Sequence, residues 1–245
     1  MNAIYPNWRV SDNVHAFTTT RQNGVSLVPF DSFNLGDHVG DEQNSVKTNR
    51  TLLIERFRLP QFPQYLTQTH STRVIKLPYF GHDLEADAVY TDQPKQVCLV
   101  MTADCLPVLF CSKAGNEVAA AHAGWRGLCD GILEATIRHF QCPPEEIIAW
   151  FGPAIGKMAF QVGREVAERF IAVDAQATWA FKRDPHTREE KYLGDLYQIA
   201  AQRLNNLGVT RISGGEHCTY RENELFFSYR RDGKTGRMAS LIWFE

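Results

Sequence analysis

Val97-Cys-Leu-Val-Met-Thr-Ala-Asp-Cys105-Leu-Pro-Val-Leu-Phe-Cys111 runs through Ser112-Lys-Ala-Gly-Asn116 into Glu117-Val-Ala-Ala-Ala-His122-Ala-Gly-Trp-Arg-Gly127. Two apolar runs about a Gly-Asn turn signal predict an antiparallel hairpin. With the turn centred on Ala114-Gly115, residues whose numbers sum to about 229 face each other, as an antiparallel ladder requires. His122 then opposes Pro107, and Cys105 lies one diagonal step away, at roughly 7–8 Å or less. A thiolate and an imidazole so placed can form a nucleophile–base pair or share a metal ion.

Around this hairpin the chain alternates elements. Val14 to Thr19 reads as a strand, and a turn-rich loop then leads to a helix from about Glu42 to Arg58, with Asp41 as its expected cap. Val46, Leu53, Ile54 and Phe57 form its apolar stripe, and Asn49 and Arg50 share that stripe, so both must find polar partners. Short strands are expected at 65–68, 74–77 and 86–91, and a helix over 128–140. A strand at 147–151, helices over 163–173 and 195–207, and strands at 209–212, 225–228 and 239–244 complete the reading. Interleaved strands and helices with several hairpins predict the α/β class. The expectation is one domain over residues 1–245, with a mixed β-sheet core of hairpins and crossovers and helices packed on the sheet faces.

Composition narrows the function. A formal charge of −2 over 245 residues gives no electrostatic case for nucleic acid or an anionic membrane. No apolar run approaches 18 residues, and the first residues lack a basic segment followed by an apolar one. The six cysteines include no Cys-x-x-Cys pair, so reduced thiols and a cytoplasmic location are expected. The eight histidines include no His-x-His, which excludes a blue-copper plus trinuclear copper arrangement.

His70 and His122 stand out because each closes an apolar segment and opens into small or polar residues. With Cys105 they make a His/Cys/His set that suits zinc and leaves a fourth position for water or substrate. Spacings of 35 and 17 residues match no compact zinc-finger signature. A metal-free competitor is a Cys105 nucleophile activated by either histidine.

Taken together, several blocks of this chain resemble the bacterial YfiH family, whose members have been labelled laccase-like polyphenol oxidases and multifunctional purine nucleoside enzymes. They are Phe17-Thr-Thr-Thr-Arg21, Phe33-Asn-Leu-Gly36 with His38-Val-Gly-Asp41, Asn49-Arg50, Gln68-Thr-His70, Asp87-Ala88, Thr102-Ala-Asp-Cys105-Leu-Pro107, His122 to Gly127, Gly152-Pro-Ala-Ile-Gly156, and Phe227 to Gly233. Asn23 stands where the family commonly has glycine.

The resemblance implies that His70, Cys105 and His122 are both metal ligands and catalytic residues. It also implies phosphorolysis of adenosine, inosine, guanosine and methylthioadenosine, together with adenosine deamination. Zinc is the expected cofactor, and copper can occupy the same donors. Arg50 and Arg126 are candidates for phosphate or ribose contact, and Asn34 and Gln68 for hydrogen bonds to the nucleoside. Asp104 is either a proton-transfer group or a pin for its turn. The expected partners are a nucleoside and phosphate, acting on a monomer or homodimer. Competing readings are a Cys/His amide hydrolase that edits peptidoglycan precursors, a copper-dependent polyphenol oxidase, and a non-catalytic metal-binding protein.

Overall fold

Residues 3–245 are described in a computed structural model of the protein. In chain order its strands are β1 (Ala3–Ile4), β2 (Val14–Thr19), β3 (Val74–Leu77), β4 (Ala88–Thr91), β5 (Cys98–Thr102), β6 (Leu106–Ser112) and β7 (Val118–Ala123). They continue as β8 (Ile147–Phe151), β9 (Gln161–Gly163), β10 (Phe181–Arg183), β11 (Lys191–Gly194), β12 (Arg211–Gly214) and β13 (Met238–Phe244). The α-helices are α1 (Gln43–Phe57), α2 (Trp125–Asp130), α3 (Ile132–Ile137), α4 (Arg164–Val173), α5 (Leu196–Asn206) and α6 (Tyr229–Asp232).

Three sheets form, in the orders β1-β2-β13-β5, β12-β8-β6-β7-β4-β3 and β10-β11-β9. The six-stranded sheet is mixed, with β12–β8 and β3–β4 parallel and its other pairs antiparallel. The expected α/β class with a mixed sheet is therefore present. Side-chain alternation along the strands sorts the core into layers. Leu99 and Met101 of β5 join Phe17, Leu241 and Leu53 of α1. Cys98 and Val100 turn the other way, onto Leu109, Cys111 and Ala120 of the larger sheet. Val108 and Phe110 emerge on that sheet's far side, against Leu128, Leu133, Phe170 and Leu204 of the helices. The order is thus helix, sheet, sheet, helices. Strands buried on both faces explain the unbroken apolar runs in the sequence.

The β6–β7 hairpin has the expected register, with Pro107 opposite His122. The run 97–111 is not one strand, however. It divides at Ala103-Asp104-Cys105: β5 pairs with β13 in one sheet and β6 with β7 and β8 in the other. Asp104 makes the break in a left-handed conformation, φ 91°. That conformation costs roughly 1–2 kcal/mol. Its carboxylate accepts from Thr219 Oγ1 at 2.7 Å and Arg230 N at 2.6 Å, and its carbonyl from Ile155 N at 2.9 Å. Hydrogen bonds to a charged group contribute about 1.5–3 kcal/mol each, enough to hold the turn.

Helix α1 matches expectation to within a residue, although Glu42 rather than Asp41 caps it, accepting from Ser45 N. The expected helix over 128–140 breaks at Gly131, whose φ of 104° only glycine adopts without strain. Two expected strands do not form. Segment 65–68 contributes one isolated bridge, Thr67 to Glu85, and 225–228 is a turn that buries Phe226 and Phe227. Among the described residues no helix is long and apolar enough to cross a membrane.

Candidate active site and metal centre

Asp87 organises the site. It sits fully buried just before β4, and a buried carboxylate must be surrounded by donors. Its Oδ2 accepts from Ser71 N (2.6 Å), Ser71 Oγ (2.8 Å) and Thr69 N (3.2 Å), and its Oδ1 from His70 N (3.0 Å). These bonds fix the loop that carries His70 with φ 64°. The same Oδ1 lies 2.7 Å from His122 Nδ1, at the end of β7, and the Asp87 carbonyl accepts from His122 N at 2.7 Å. One carboxylate therefore orients the His122 imidazole directly and holds the backbone that presents His70, and with Nδ1 engaged, Nε2 of His122 is the atom left for a ligand.

Cys105 joins them from the break between the two large sheets. Its Sγ is 3.7 Å from His70 Nε2, and the His70 and His122 rings are 4.8 Å apart at 65°. One donor atom from each of the three residues falls within 4.8 Å of the others. Gly124 backs the group: a Cβ there would collide with the His70 imidazole and stand 2.9 Å from its Nε2 and 3.0 Å from Cys105 Sγ.

The charges reinforce the geometry. Burial opposes the ionised form of Cys105, but the charge and hydrogen bonds of His122 and His70 together outweigh it and hold the thiol well below its usual value. Burial likewise works against His122, yet the Cys105 thiolate and Asp87 carboxylate raise it. For Asp87, hydrogen bonds and charge from His122, with bonds from Ser71, overcome burial and keep it below the ordinary carboxylate range. Cys111, by contrast, is pushed up to about 12, chiefly by burial. In metal-free protein, iodoacetamide is therefore expected to label Cys105 ahead of the other five cysteines at neutral pH. Its rate should stay nearly flat above neutrality and fall only on acidification, whereas an ordinary thiol gains about tenfold per unit until its pKa of about 8.5. Peptide mass spectrometry over a pH series measures this. Labelling of Cys105 that climbs like a free thiol would contradict the ion pair.

Two imidazoles and a thiolate around one point fit zinc. Donors bound at about 2.05 and 2.3 Å around a tetrahedral ion lie about 3.6 Å apart, close to the observed His70–Cys105 separation. The trio also opens onto a cavity of about 490 Å³, within the usual range for a small-molecule site. His70, Cys105 and His122 would hold the ion at the wall of this cavity.

The other candidates divide. Gln68 and Arg126 line the cavity, and Asn34 and Arg50 do not. The Gln68 amide is doubly bonded to the Met101 backbone, at 2.7 and 2.8 Å. Arg126 is exposed, its guanidinium 4.6 Å from the Trp125 ring. Arg50 lies over Tyr65 at 3.6 Å, bonds Leu35 O at 3.0 Å and pairs with Asp37 at 3.2 Å. Asn34 is buried and bonds Gly36, Asp41 and the Arg237 backbone. Asp104 pins its turn, as described above. Sequence reasoning did not single out Asp87 as the clamp, nor Trp125, Phe160, Tyr229 and Arg237 as cavity walls. An acid inside the otherwise apolar segment 86–90 was the available signal for Asp87.

Residues 15–245 match the family model described as multi-copper polyphenol oxidoreductase laccase. A Haemophilus influenzae protein named purine nucleoside phosphorylase is 69% identical over 245 residues, covering 100% of both chains. An Escherichia coli K12 protein named purine nucleoside phosphorylase YfiH is 56% identical over 98% of each. A crystal structure of a Neisseria meningitidis protein, 47% identical, superposes over 100% of both chains with a TM-score of 0.94.

Proposed function

This chain belongs to the family described as multi-copper polyphenol oxidoreductase laccase, and from that membership and its relatives' names we propose that it is a zinc-dependent purine nucleoside phosphorylase that also deaminates adenosine. The observation that carries the reading is the trio: a thiolate and two imidazoles, whose His122 ring and His70 backbone are held by one buried carboxylate, on the wall of a nucleoside-sized cavity. Adenosine, inosine, guanosine and methylthioadenosine are the substrates it would split. When bound, zinc would supply Lewis-acid polarisation beside the purine.

In phosphorolysis a phosphate oxygen bonds to ribosyl C1′ as the C1′–N9 bond breaks. The electron pair passes to the purine, which takes up a proton and leaves as the free base beside ribose 1-phosphate. The protein must hold the two reactants in line and keep competing water away. Trp125 and Phe160 supply aromatic wall for the base, Gln68 shapes the wall, and Arg126 stands at the edge. In deamination a water adds at purine C6 and ammonia leaves, converting adenosine to inosine, in the same cavity.

The thiolate–imidazolium pair favours one second reading, a cysteine hydrolase acting on an amide. The family description names several coppers, but the described residues gather one such donor group. The decisive assay is phosphate-dependent release of hypoxanthine from inosine by metal-analysed protein, beside Cys105→Ala. Turnover that requires phosphate, tracks zinc and drops at least about a hundredfold in the variant is expected. Inert protein with stoichiometric zinc would refute the reading. Amide cleavage that survives chelation would establish the hydrolase instead.

A further inference from the structure

Three arginines, Arg126, Arg230 and Arg237, line the cavity, and none is ion-paired to a carboxylate among the described residues. The one acid on the wall, Asp104, is already committed to Thr219 and Arg230 N. A cavity with such a surplus of positive charge favours an anionic ligand. Arg126 and Arg230 are exposed, and Arg230 already bonds the carbonyls of Gln161 (2.8 Å) and Ala159 (3.4 Å). Arg237 is different.

Arg237 precedes β13, and its backbone is clamped from both sides. Its N donates to Asn34 Oδ1 at 2.9 Å, and its carbonyl accepts from Leu35 N at 3.2 Å. Its aliphatic stem runs past Gly36, where a Cβ would stand 2.8 Å from Arg237 Cγ. Nη1 donates to the carbonyls of Thr235 (3.1 Å) and Gly236 (3.0 Å), which orients the planar head. Nε and Nη2 have no protein acceptor among the described residues. The side chain is half-buried, and burial pushes it below the usual arginine value while the charges of Cys105 and Asp104 act the other way. A fixed, partly desolvated guanidinium with free donors suits a tetrahedral oxyanion, which it can grip through two parallel bonds.

We propose that Arg237 seats the inorganic phosphate co-substrate in the cavity that holds His70, Cys105 and His122. The assignment of phosphate as co-substrate rests on the phosphorylase reading; the anion site itself does not. Asn34 and Gly36 are then positioning residues, which set the guanidinium and give its stem room. The purine nucleoside occupies the remainder of the cavity, toward the trio.

The test uses zinc-loaded protein, inorganic phosphate as the probe, and the variants Arg237→Gln and Arg237→Lys. Calorimetry measures phosphate binding directly, and steady-state assays separate the KM for phosphate from the KM for inosine. Arg237→Gln should weaken phosphate binding and raise the phosphate KM about tenfold to a hundredfold. The inosine KM, zinc content and melting temperature should stay near wild type, and Arg237→Lys should recover part of the phosphate affinity. Phosphate binding that Arg237→Gln leaves unchanged would overturn the proposal, as would wild-type protein that binds no phosphate. A loss shared equally by phosphate, inosine and melting temperature in both variants would also overturn it. Phosphate bound through Arg237 without release of base would leave the anion site standing and remove the phosphorylase reading. Phosphorolysis with a phosphate KM indifferent to Arg237 would do the reverse.

Discussion

Replacing Asp87 by asparagine is expected to weaken zinc binding about 10–100-fold and to lower the melting temperature by about 6–12 °C. The carboxylate faces donors on both oxygens, and asparagine must turn its NH2 toward one set. If the NH2 faces His70 N and His122 Nδ1, His122 can accept only as the tautomer protonated on Nε2, which cannot ligate a metal. If it faces Thr69 and Ser71, the two backbone N–H bonds that hold the His70 loop are lost, since only the Ser71 hydroxyl can turn to accept. Either way about 3 kcal/mol of charge-assisted hydrogen bonding disappears from a buried position. Metal analysis and thermal melting of the purified variant measure both effects. Wild-type zinc affinity in Asp87→Asn would show that the carboxylate does not control the ligands.

Gly124→Ala should be more damaging to the site and far gentler to the fold. Gly124 has φ −61° and ψ 154°, a conformation open to any residue, so backbone strain is not involved. In an unobstructed position such a change stabilises a protein by about 0.4–1 kcal/mol through the unfolded chain. Here the new methyl enters the space of the His70 ring and Cys105 Sγ, and the side chain on a loop is the one that yields. The expected variant has a wild-type circular dichroism spectrum, zinc affinity reduced at least about a hundredfold, and phosphorolysis reduced in proportion. A zinc-replete, active Gly124→Ala would mean that the trio tolerates a displaced His70.

Much of this was legible beforehand, and for identifiable reasons. The turn at Ala114-Gly115 set the register that puts His122 opposite Pro107, because a tight hairpin leaves little freedom of pairing. Helix α1 follows from the helical spacing of Val46, Leu53, Ile54 and Phe57. The division of 97–111 into strands of two different sheets was not legible, because both halves are buried on both faces and alternate no differently. Tertiary partners remote in sequence stabilise that break: Ile155, Thr219 and Arg230 all bond Asp104. The trio could be found because cysteine and histidine carry a chemical signature. Arg237 carries none in sequence, since its distinction is the absence of a carboxylate beside it.

The topology also imposes an order of assembly. The β6–β7 hairpin, joining the strands beside Cys105 and His122, closes across a short turn, so these two donors can meet early and locally. In the four-stranded sheet the pairings of β13 are remote: Ser240 joins Thr18 on one side and Val100 on the other. Such high-separation contacts close late. Two of the three metal ligands can therefore meet before the wall bearing Arg237 arrives, so an ion can find a partial site in a half-finished cavity while phosphate must wait for a finished one.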